Sequence, residues 1–240
     1  VVHINSGVAA LVAAIMLKER KGFPSTPMPP HNLSMTVAGA SMLWVGWFGF
    51  NAGSALAADQ SAGMAMLVTH IGAAAGSLSW MAREWYIQGK ASVLGIVTGM
   101  VAGLGTITPA SGFVGPIGAL FIGISAGLVC YEATQYIKKV LKIDDSLDVF
   151  PVHGIGGILG TLLTGVFASA SLGGMGMVNS ISTQISIQII GILFTIIWCG
   201  FFTFIILRFV DNIFGLRITE DDEQVGIDLS EHGESSYNSN

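Results

Sequence analysis

Long apolar stretches alternate with short polar, glycine-rich or proline-rich links along most of the chain, and only the last part is polar throughout. A helix needs about 20 mostly apolar residues to cross the roughly 30 Å hydrocarbon core of a bilayer. Seven stretches meet or approach that length, and the first is short because the chain begins within an apolar run. The predicted spans cover about residues 1–17, 33–57, 62–82, 92–108, 114–137, 149–168 and 183–209.

Basic residues mark one side of the predicted bundle. They follow the first, third, fifth and seventh spans, and the other three links have none. Because lysine and arginine concentrate in cytoplasmic loops, we expect the start of the chain outside and the C-terminal tail in the cytoplasm. The expected location is the plasma or inner membrane. The ten basic residues are Lys18, Arg20, Lys21, Arg83, Lys90, Lys138, Lys139, Lys142, Arg208 and Arg217.

Composition agrees with a membrane location. Hydrophobic residues make up 52% of the 240 and charged residues 10%, and the mean hydropathy is +0.69. These values lie outside the range of soluble domains, so the sequence predicts an all-α polytopic membrane protein. The formal charge of -5 reflects an acidic tail, and nothing indicates nucleic-acid binding. Cys130 and Cys199 lie in apolar runs, where we expect packing as small hydrophobic side chains rather than a disulfide.

Two histidines occupy equivalent places in a repeated segment. His153 lies within the sixth predicted span, in Asp148-Val-Phe-Pro-Val-His-Gly-Ile-Gly-Gly157. The stretch Val2-His-Ile-Asn-Ser-Gly-Val8 matches residues 152–158 in its Val, His and Gly positions, with an aliphatic residue at the last. The first and sixth spans are five crossings apart, so the repeat is inverted. Because inverted repeats place substrate sites near the membrane midplane, we expect His3 and His153 to form a paired site.

An ionisable residue at membrane depth is a functional candidate, although a buried histidine is often only hydrogen-bonded packing. Repetition favours function for His3 and His153, whereas His70 has no visible repeat partner and is expected to be structural. Desolvation disfavours imidazolium, so we expect neutral rings, each with one donor and one acceptor nitrogen. Such a pair could bind a small polar guest or pass a proton. No metal is expected, because no third Cys, Asp or Glu lies at membrane depth with ligand spacing.

The second span is dense in aromatic residues and glycines between residues 42 and 54. Rings near the mouth of a passage can attract a cation and close a narrow opening. Trp47 and Phe50 lie near the middle of the span, which favours that role over an interfacial aromatic belt. The belt is the better interpretation for Trp80 and Trp85, which lie beside a basic link.

Other polar and small residues are expected to be structural. Asp145 and Asp148 precede the sixth span and are expected to cap it. Glu132 is expected to pair with the nearby lysines or to snorkel. Small residues at four-residue spacing permit close helix packing in lipid, and they are Gly95, Gly99, Gly103, Ala119, Gly123, Gly127, Gly156 and Gly160.

Three stretches in order carry a family resemblance: Gly46-Trp-Phe-Gly-Phe-Asn-Ala-Gly-Ser54, the His153 segment, and Gly226-Ile-Asp-Leu-Ser-Glu-His-Gly-Glu234 followed by Tyr237. Together they resemble the ammonium transporter (Amt/MEP/Rh) family, and its prokaryotic Amt branch most of all. The resemblance implies an eleven-helix inverted-repeat bundle that forms a homotrimer with one pore in each subunit. By that comparison, this chain is the C-terminal part, with about seven helices. Residues 1–217 would form the transmembrane domain without its N-terminal helices, and residues 218–240 a cytoplasmic regulatory tail.

The resemblance also implies roles for particular residues. It makes His3 and His153 the twin histidines at the pore centre and Phe50 one of two stacked gate phenylalanines. Trp47 would line the lumen near the histidines, and Ser54 would belong to the outer ammonium recruitment site. Ammonium would be recruited outside and deprotonated, and ammonia would pass the histidines. This implies a transporter rather than an enzyme, with no cofactor, and a PII-type signalling protein as a possible partner at the cytoplasmic face.

Other functions remain open on the sequence alone. An ammonium sensor that signals through its tail would share every motif. A membrane electron carrier would need only His3 and His153 as axial haem ligands. An intramembrane hydrolase is disfavoured, because no nucleophile, base and orienting acid converge at membrane depth.

Overall fold

The computed structural model describes residues 1–176 and 180–235, which are mostly helical. Seven of the helices correspond to the seven predicted spans, which confirms the all-α polytopic prediction. Two short helices follow in the tail. The helices are α1 (Val2–Leu17), α2 (Leu33–Ala52), α3 (Gln60–Gln88), α4 (Val93–Ile107), α5 (Pro116–Lys139), α6 (Gly156–Phe167), α7 (Ile181–Phe214), α8 (Glu220–Val225) and α9 (Ile227–His232).

Six helical stretches among the described residues are long and apolar enough to cross a membrane. They are Leu33–Ala55, Gln60–Gln88, Val93–Ala110, Pro116–Lys139, Phe150–Phe167 and Ile181–Phe214. The 16-residue α1 is a shorter apolar helix. The chain therefore has the helices of a multi-pass membrane protein. Tyr237, which carries part of the family resemblance, lies outside the described residues.

Two helices extend beyond their predicted ends. α3 continues to Gln88 rather than ending near residue 82, and α7 continues to Phe214 rather than ending near residue 209. A charged residue need not end a helix at the membrane surface, because its flexible stem can carry the charge into water. Arg83 accordingly lies within α3, where it forms an ion pair with Glu132 of α5. The partner of Glu132 is thus an arginine on a neighbouring helix rather than a nearby lysine.

Glycines bring α3, α4 and α5 into backbone contact. A Cβ atom added to Gly76 would lie 2.6 Å from the Gly99 carbonyl oxygen. One added to Gly123 would lie 2.6 Å from the Gly72 carbonyl oxygen. A side chain at either position would separate the helices. The predicted small-residue stripes therefore act in packing, because helix association in lipid depends on close approach of the backbones.

The two aspartates before the sixth span have different roles. Asp145 Oδ2 accepts a hydrogen bond from the Phe150 backbone N–H at 2.7 Å, so Asp145 caps the helical stretch as predicted. Asp148 does not cap with its side chain. Its carboxylate instead pairs with the Lys138 ammonium group at 2.8 Å, across the link that joins α5 to the sixth span.

Ionic contacts join three links at one end of the bundle. Arg20 donates through Nε and Nη2 to the two carboxylate oxygens of Asp144, at 2.8 and 2.7 Å. Burial opposes the Asp144 carboxylate, but the hydrogen bonds and charge of Arg20 outweigh burial and lower the pKa of Asp144. Arg217 donates to the Leu17 carbonyl and to Glu223, each at 2.9 Å. The end of α1 is thus tied both to the link before the sixth span and to the segment after α7.

Candidate functional site

A close backbone crossing sets α1 against the start of the sixth span. A Cβ atom added to Gly7 would fall on the backbone of Gly154, and one added to Gly157 would lie 3.0 Å from His3 Cβ. Gly7 thus meets Gly154, whereas the earlier residue His3 meets the later residue Gly157, so the two segments run in opposite directions. This is the arrangement that an inverted repeat predicts.

The crossing brings His3 and His153 into direct contact. Their Nδ1 atoms lie 3.2 Å apart, and the ring centroids are 5.3 Å apart with an interplanar angle of 19°. His3 is 8% exposed, and its Nε2 atom is buried with no hydrogen-bond partner among the described residues. In this hydrogen bond one Nδ1 atom carries the proton and the other accepts it. Neutral rings therefore leave one Nε2 atom as an acceptor and the other as a donor.

His153 lies in a π-helical turn, Phe150–Ile155, that directly precedes α6. Pro151 lies within this turn and has no backbone N–H to give to the regular helical ladder. A π-helical turn contains one more residue than an α-helical turn, so it changes the direction in which the following side chains point. Such turns occur frequently at functional sites. The sequence predicted a regular helix here and gave no indication of the wider turn.

Trp47 of α2 packs flat against the histidine pair. The Trp47 ring lies 5.3 Å from the His3 ring at an interplanar angle of 13°, and 6.5 Å from the His153 ring at 6°. Trp47 Nε1 donates to Thr108 Oγ1 at 2.8 Å, and the Thr108 hydroxyl donates to the Leu104 carbonyl at 2.8 Å. Thr108 therefore fixes the indole. Sequence reasoning missed this residue, because a threonine before a proline at the end of a span usually indicates only a turn.

Phe50 and Ser54 lie further along the chain from Trp47. The Phe50 ring is edge-on to the His3 ring at 6.2 Å and to the Trp47 ring at 5.9 Å. Ser54 lies in the 3₁₀ turn Gly53–Ala55, is exposed, and donates through Oγ to the Phe50 carbonyl at 2.7 Å. The structure thus brings together His3, His153, Trp47 and Phe50, and it leaves Ser54 outside their cluster, beyond the end of α2.

A cavity of about 660 Å³ lies beside these four residues. Its wall is mostly apolar, and the polar side chains in that wall are those of His3, Ser6, Trp47 and His153. A second cavity of about 590 Å³ also has His153 in its wall. The second cavity extends to the charged end of the bundle, where its lining includes Arg20, Lys138 and Asp148. His153 therefore lies between an aromatic, apolar space and a charged one.

No group of three or more His, Cys, Asp or Glu residues in the described ranges could hold a metal ion. His70 lies away from the histidine pair, on an exposed face of α3. Its ring is 5.1 Å from the Trp44 ring and 6.2 Å from the Phe48 ring. His70 therefore packs against aromatic rings, and its structural role stays a prediction.

Comparison of the sequence with protein families gives a match over nearly all of the chain. The sequence model of the Ammonium Transporter Family matches residues 1–237. The chain is 46% identical over 239 residues to an ammonium transporter of Aquifex aeolicus, covering 99% of this chain and 56% of that protein. It is 45% identical over 240 residues to an ammonium transporter of Bacillus subtilis, covering 99% and 59%. The chain thus spans somewhat more than half the length of these relatives.

Solved structures of similar fold agree with the sequence comparison. A structure described as a sensor Amt protein superimposes with a TM-score of 0.88 and 31% identity, covering 96% of this chain and 58% of that one. Mep2 of Saccharomyces cerevisiae superimposes with a TM-score of 0.81 and 36% identity, covering 92% and 53%. Both likenesses extend over almost the whole helical part of the chain.

Proposed function

The chain belongs to the ammonium transporter family, and we propose that the whole protein carries ammonium across a membrane, with ammonia as the species that passes the histidine pair. The chain covers 56% and 59% of two relatives named as ammonium transporters, so the proposal concerns the whole protein rather than this part alone. The observation that carries it is the 3.2 Å contact between His3 Nδ1 and His153 Nδ1 beside a mostly apolar cavity.

Desolvation explains why the cation would lose its proton. Transfer of an unpaired charge into an apolar environment is far more costly than transfer of a neutral polar molecule. The wall of the 660 Å³ cavity contains no carboxylate among its described residues. Ammonium that enters this space meets no counter-charge from these residues, whereas ammonia needs none. We therefore place the loss of the proton, which would pass to water outside the apolar space, before the substrate reaches the histidine pair.

The histidine pair suits ammonia as a hydrogen-bonding partner. Ammonia has one lone pair and three N–H groups, and the hydrogen bond between the Nδ1 atoms leaves the pair with one Nε2 acceptor and one Nε2 donor. The buried, unpartnered His3 Nε2 marks a position where such a guest would recover a hydrogen bond. Because neither ring carries a fixed charge, the pair would hold the guest without trapping a cation.

The aromatic residues would control access to the pair. We assign Phe50 as a gate, since its ring is edge-on to His3 and 47% exposed, and Trp47 as a wall of the lumen. Ser54 is assigned to recruitment, where its hydroxyl and the neighbouring ring face would attract ammonium before it enters. We orient the protein with the charged end of the bundle toward the cytoplasm. The complete protein is proposed to be a homotrimer with one pore in each subunit.

A sensor is the second candidate function, because the chain also resembles the structure described as a sensor Amt protein. The contacts of Arg217 with Leu17 and Glu223 connect the segment after α7 to the helix that carries His3. A tail connected in this way could report ligand binding at the pore or tune its flux. Residues 218–240 are assigned as this regulatory tail, with a PII-type protein as a partner at the same face.

Flux through the complete protein in liposomes tests the assignment. His3→Ala and His153→Ala should each abolish ammonium uptake or change its selectivity, while His70→Ala, at a histidine remote from the cavity, should transport normally. Normal flux and selectivity in both pore variants would refute the role of the pair. Ammonium binding without any flux in the unmodified protein would instead support the sensor.

A further inference from the structure

Gly105 of α4 lies directly behind the hydrogen bond between the two histidines. It is buried, and a Cβ atom added there would lie 3.6 Å from His153 Nδ1 and 3.9 Å from His3 Nδ1. The same atom would lie 3.8 Å from the Val152 carbonyl oxygen. A side chain longer than glycine's at position 105 could therefore contact the Nδ1 atoms of both histidines.

The other glycines of α4 have a different explanation. A Cβ atom added to Gly99 would lie 2.7 Å from the Gly76 carbonyl oxygen, and one added to Gly103 would lie 3.0 Å from the Gly72 carbonyl carbon. Those glycines are required because α3 packs against them. At Gly105 the nearest distances are ordinary van der Waals contacts, so helix packing does not demand a glycine.

We propose that position 105 must carry a residue whose side chain cannot hydrogen-bond, because such a residue leaves the two histidines bonded to each other. This inference rests on the proposed ammonium transport. Because no polar side chain is present at position 105, the Nδ1 atom of each histidine hydrogen-bonds only to the other imidazole. That hydrogen bond in turn makes one Nε2 atom a donor and the other an acceptor. The residue at position 105 therefore controls the hydrogen bonds offered to the guest without touching it.

Alanine and serine at this position differ by one hydroxyl and separate the proposal from a steric effect. The Gly105→Ala methyl group fits at the distances given and cannot hydrogen-bond. The Gly105→Ser hydroxyl extends one bond beyond Cβ and comes within hydrogen-bonding reach of Nδ1, where it competes for the shared proton. Both imidazoles could then change tautomer, so the pattern of donors and acceptors facing the cavity would no longer be fixed.

The test uses the complete protein in liposomes and measures uptake of ammonium and methylammonium across a range of external pH. Gly105→Ser should change the ammonium to methylammonium ratio or the pH profile by about fivefold, as expected when one hydrogen bond between buried neutral groups replaces another. Gly105→Ala should retain the unmodified ratio and profile. Gly191→Ser on α7 is the matched control, because a Cβ atom there meets no described atom within 4 Å, and it should transport normally.

Nitrogen-15 spectra of labelled histidine give a second measurement that general destabilisation would not mimic. In Gly105→Ser the Nδ1 resonances of His3 and His153 should shift, and in Gly105→Ala they should stay in place. If the serine variant does not fold, Gly105→Cys, with a weaker donor, should give a smaller shift in the same direction. Equal behaviour of the serine and alanine variants overturns the inference. If the serine and alanine variants behave alike but His3→Ala abolishes uptake in the same assay, the inference about position 105 fails and the proposed transport stands.

Discussion

Thr108→Val tests how the aromatic wall of the cavity is held. The substitution keeps the shape of the side chain but removes Oγ1, which accepts from Trp47 Nε1 at 2.8 Å and donates to the Leu104 carbonyl at 2.8 Å. Trp47 is 9% exposed, so its N–H would lose its partner where water has little access. An unpaired buried donor costs about 1–3 kcal/mol, but hydrogen-bond couplings measured inside a membrane protein average about 0.6 and reach about 1.7 kcal/mol. We expect the Thr108 to Trp47 hydrogen bond to contribute about 1 kcal/mol to the free energy of unfolding.

A matched control removes the contribution of the second hydrogen bond. Thr195 of α7 is 7% exposed and donates to the Gly191 carbonyl at 2.7 Å, which is the same type of bond that Thr108 makes with Leu104. Thr195→Val therefore loses the bond to its own helix but no bond to an indole. The difference between the free energies of unfolding lost in the two valine variants estimates the contribution of the hydrogen bond to Trp47.

A double-mutant cycle with Trp47→Phe measures the same contact independently. Phenylalanine keeps a ring against His3 but has no N–H, so Thr108→Val should be milder by about 1 kcal/mol in that background. The assay is denaturant unfolding of the purified complete protein in detergent, followed by ellipticity, together with ammonium flux in liposomes. If Thr108→Val is equally destabilising with and without the indole, the hydrogen bond does not anchor Trp47.

Three further predictions concern the parts that hold the pair in place. Arg20 lowers the pKa of Asp144, so the stability that this contact provides is complete above the ordinary carboxyl pKa of about 4 and is lost as pH falls through the lowered value. Asp144→Asn should therefore flatten the dependence of the melting temperature on acid pH. An unchanged dependence would contradict this. Gly7→Ala should force the backbone of Gly154 away, with loss of ammonium flux and of thermal stability, and wild-type behaviour would show that the crossing can adjust. Glu223→Gln should leave the melting temperature nearly unchanged, because the ion pair with Arg217 is only partly buried, yet change flux. Unaltered flux would show that this contact does not couple the tail to the pore.

Sequence reasoning located the spans well because the bilayer imposes a length and a polarity on each of them. It was less accurate where charge was taken as the end of a helix. Arg83 belongs to α3 because its side chain reaches Glu132 on α5, and that neighbour becomes visible only after the helices pack. Asp148 was interpreted as a cap, whereas its partner is Lys138 on the preceding helix. In both cases the local sequence shows that a charged residue is present but does not show which residue it pairs with.

The contact between the histidines could be predicted because the repeat supplied information from two distant segments at once. The turn around Pro151, the anchor at Thr108 and the space behind Gly105 could not. Each depends on which groups the fold places within a few ångströms, and none has a periodic signature. A glycine required for packing, such as Gly103, looks the same in sequence as Gly105, which packing does not require.

Under the proposed function, the scarcity of hydrogen-bonding partners among the described groups of the wall would make the site selective without a charge. The Nδ1 atoms of His3 and His153 bind each other, Trp47 Nε1 is occupied by Thr108, and the Ser6 hydroxyl already donates to its own helix. Among the described groups of the wall, few polar atoms beyond the two Nε2 atoms are therefore left without a protein partner, and the Nε2 atom of His3 is itself buried. A hydrated cation would lose far more hydrogen bonds than two ring nitrogens can replace, whereas ammonia would lose few. A carboxylate at the same depth would bind ammonium more tightly, but the tighter binding would slow its release.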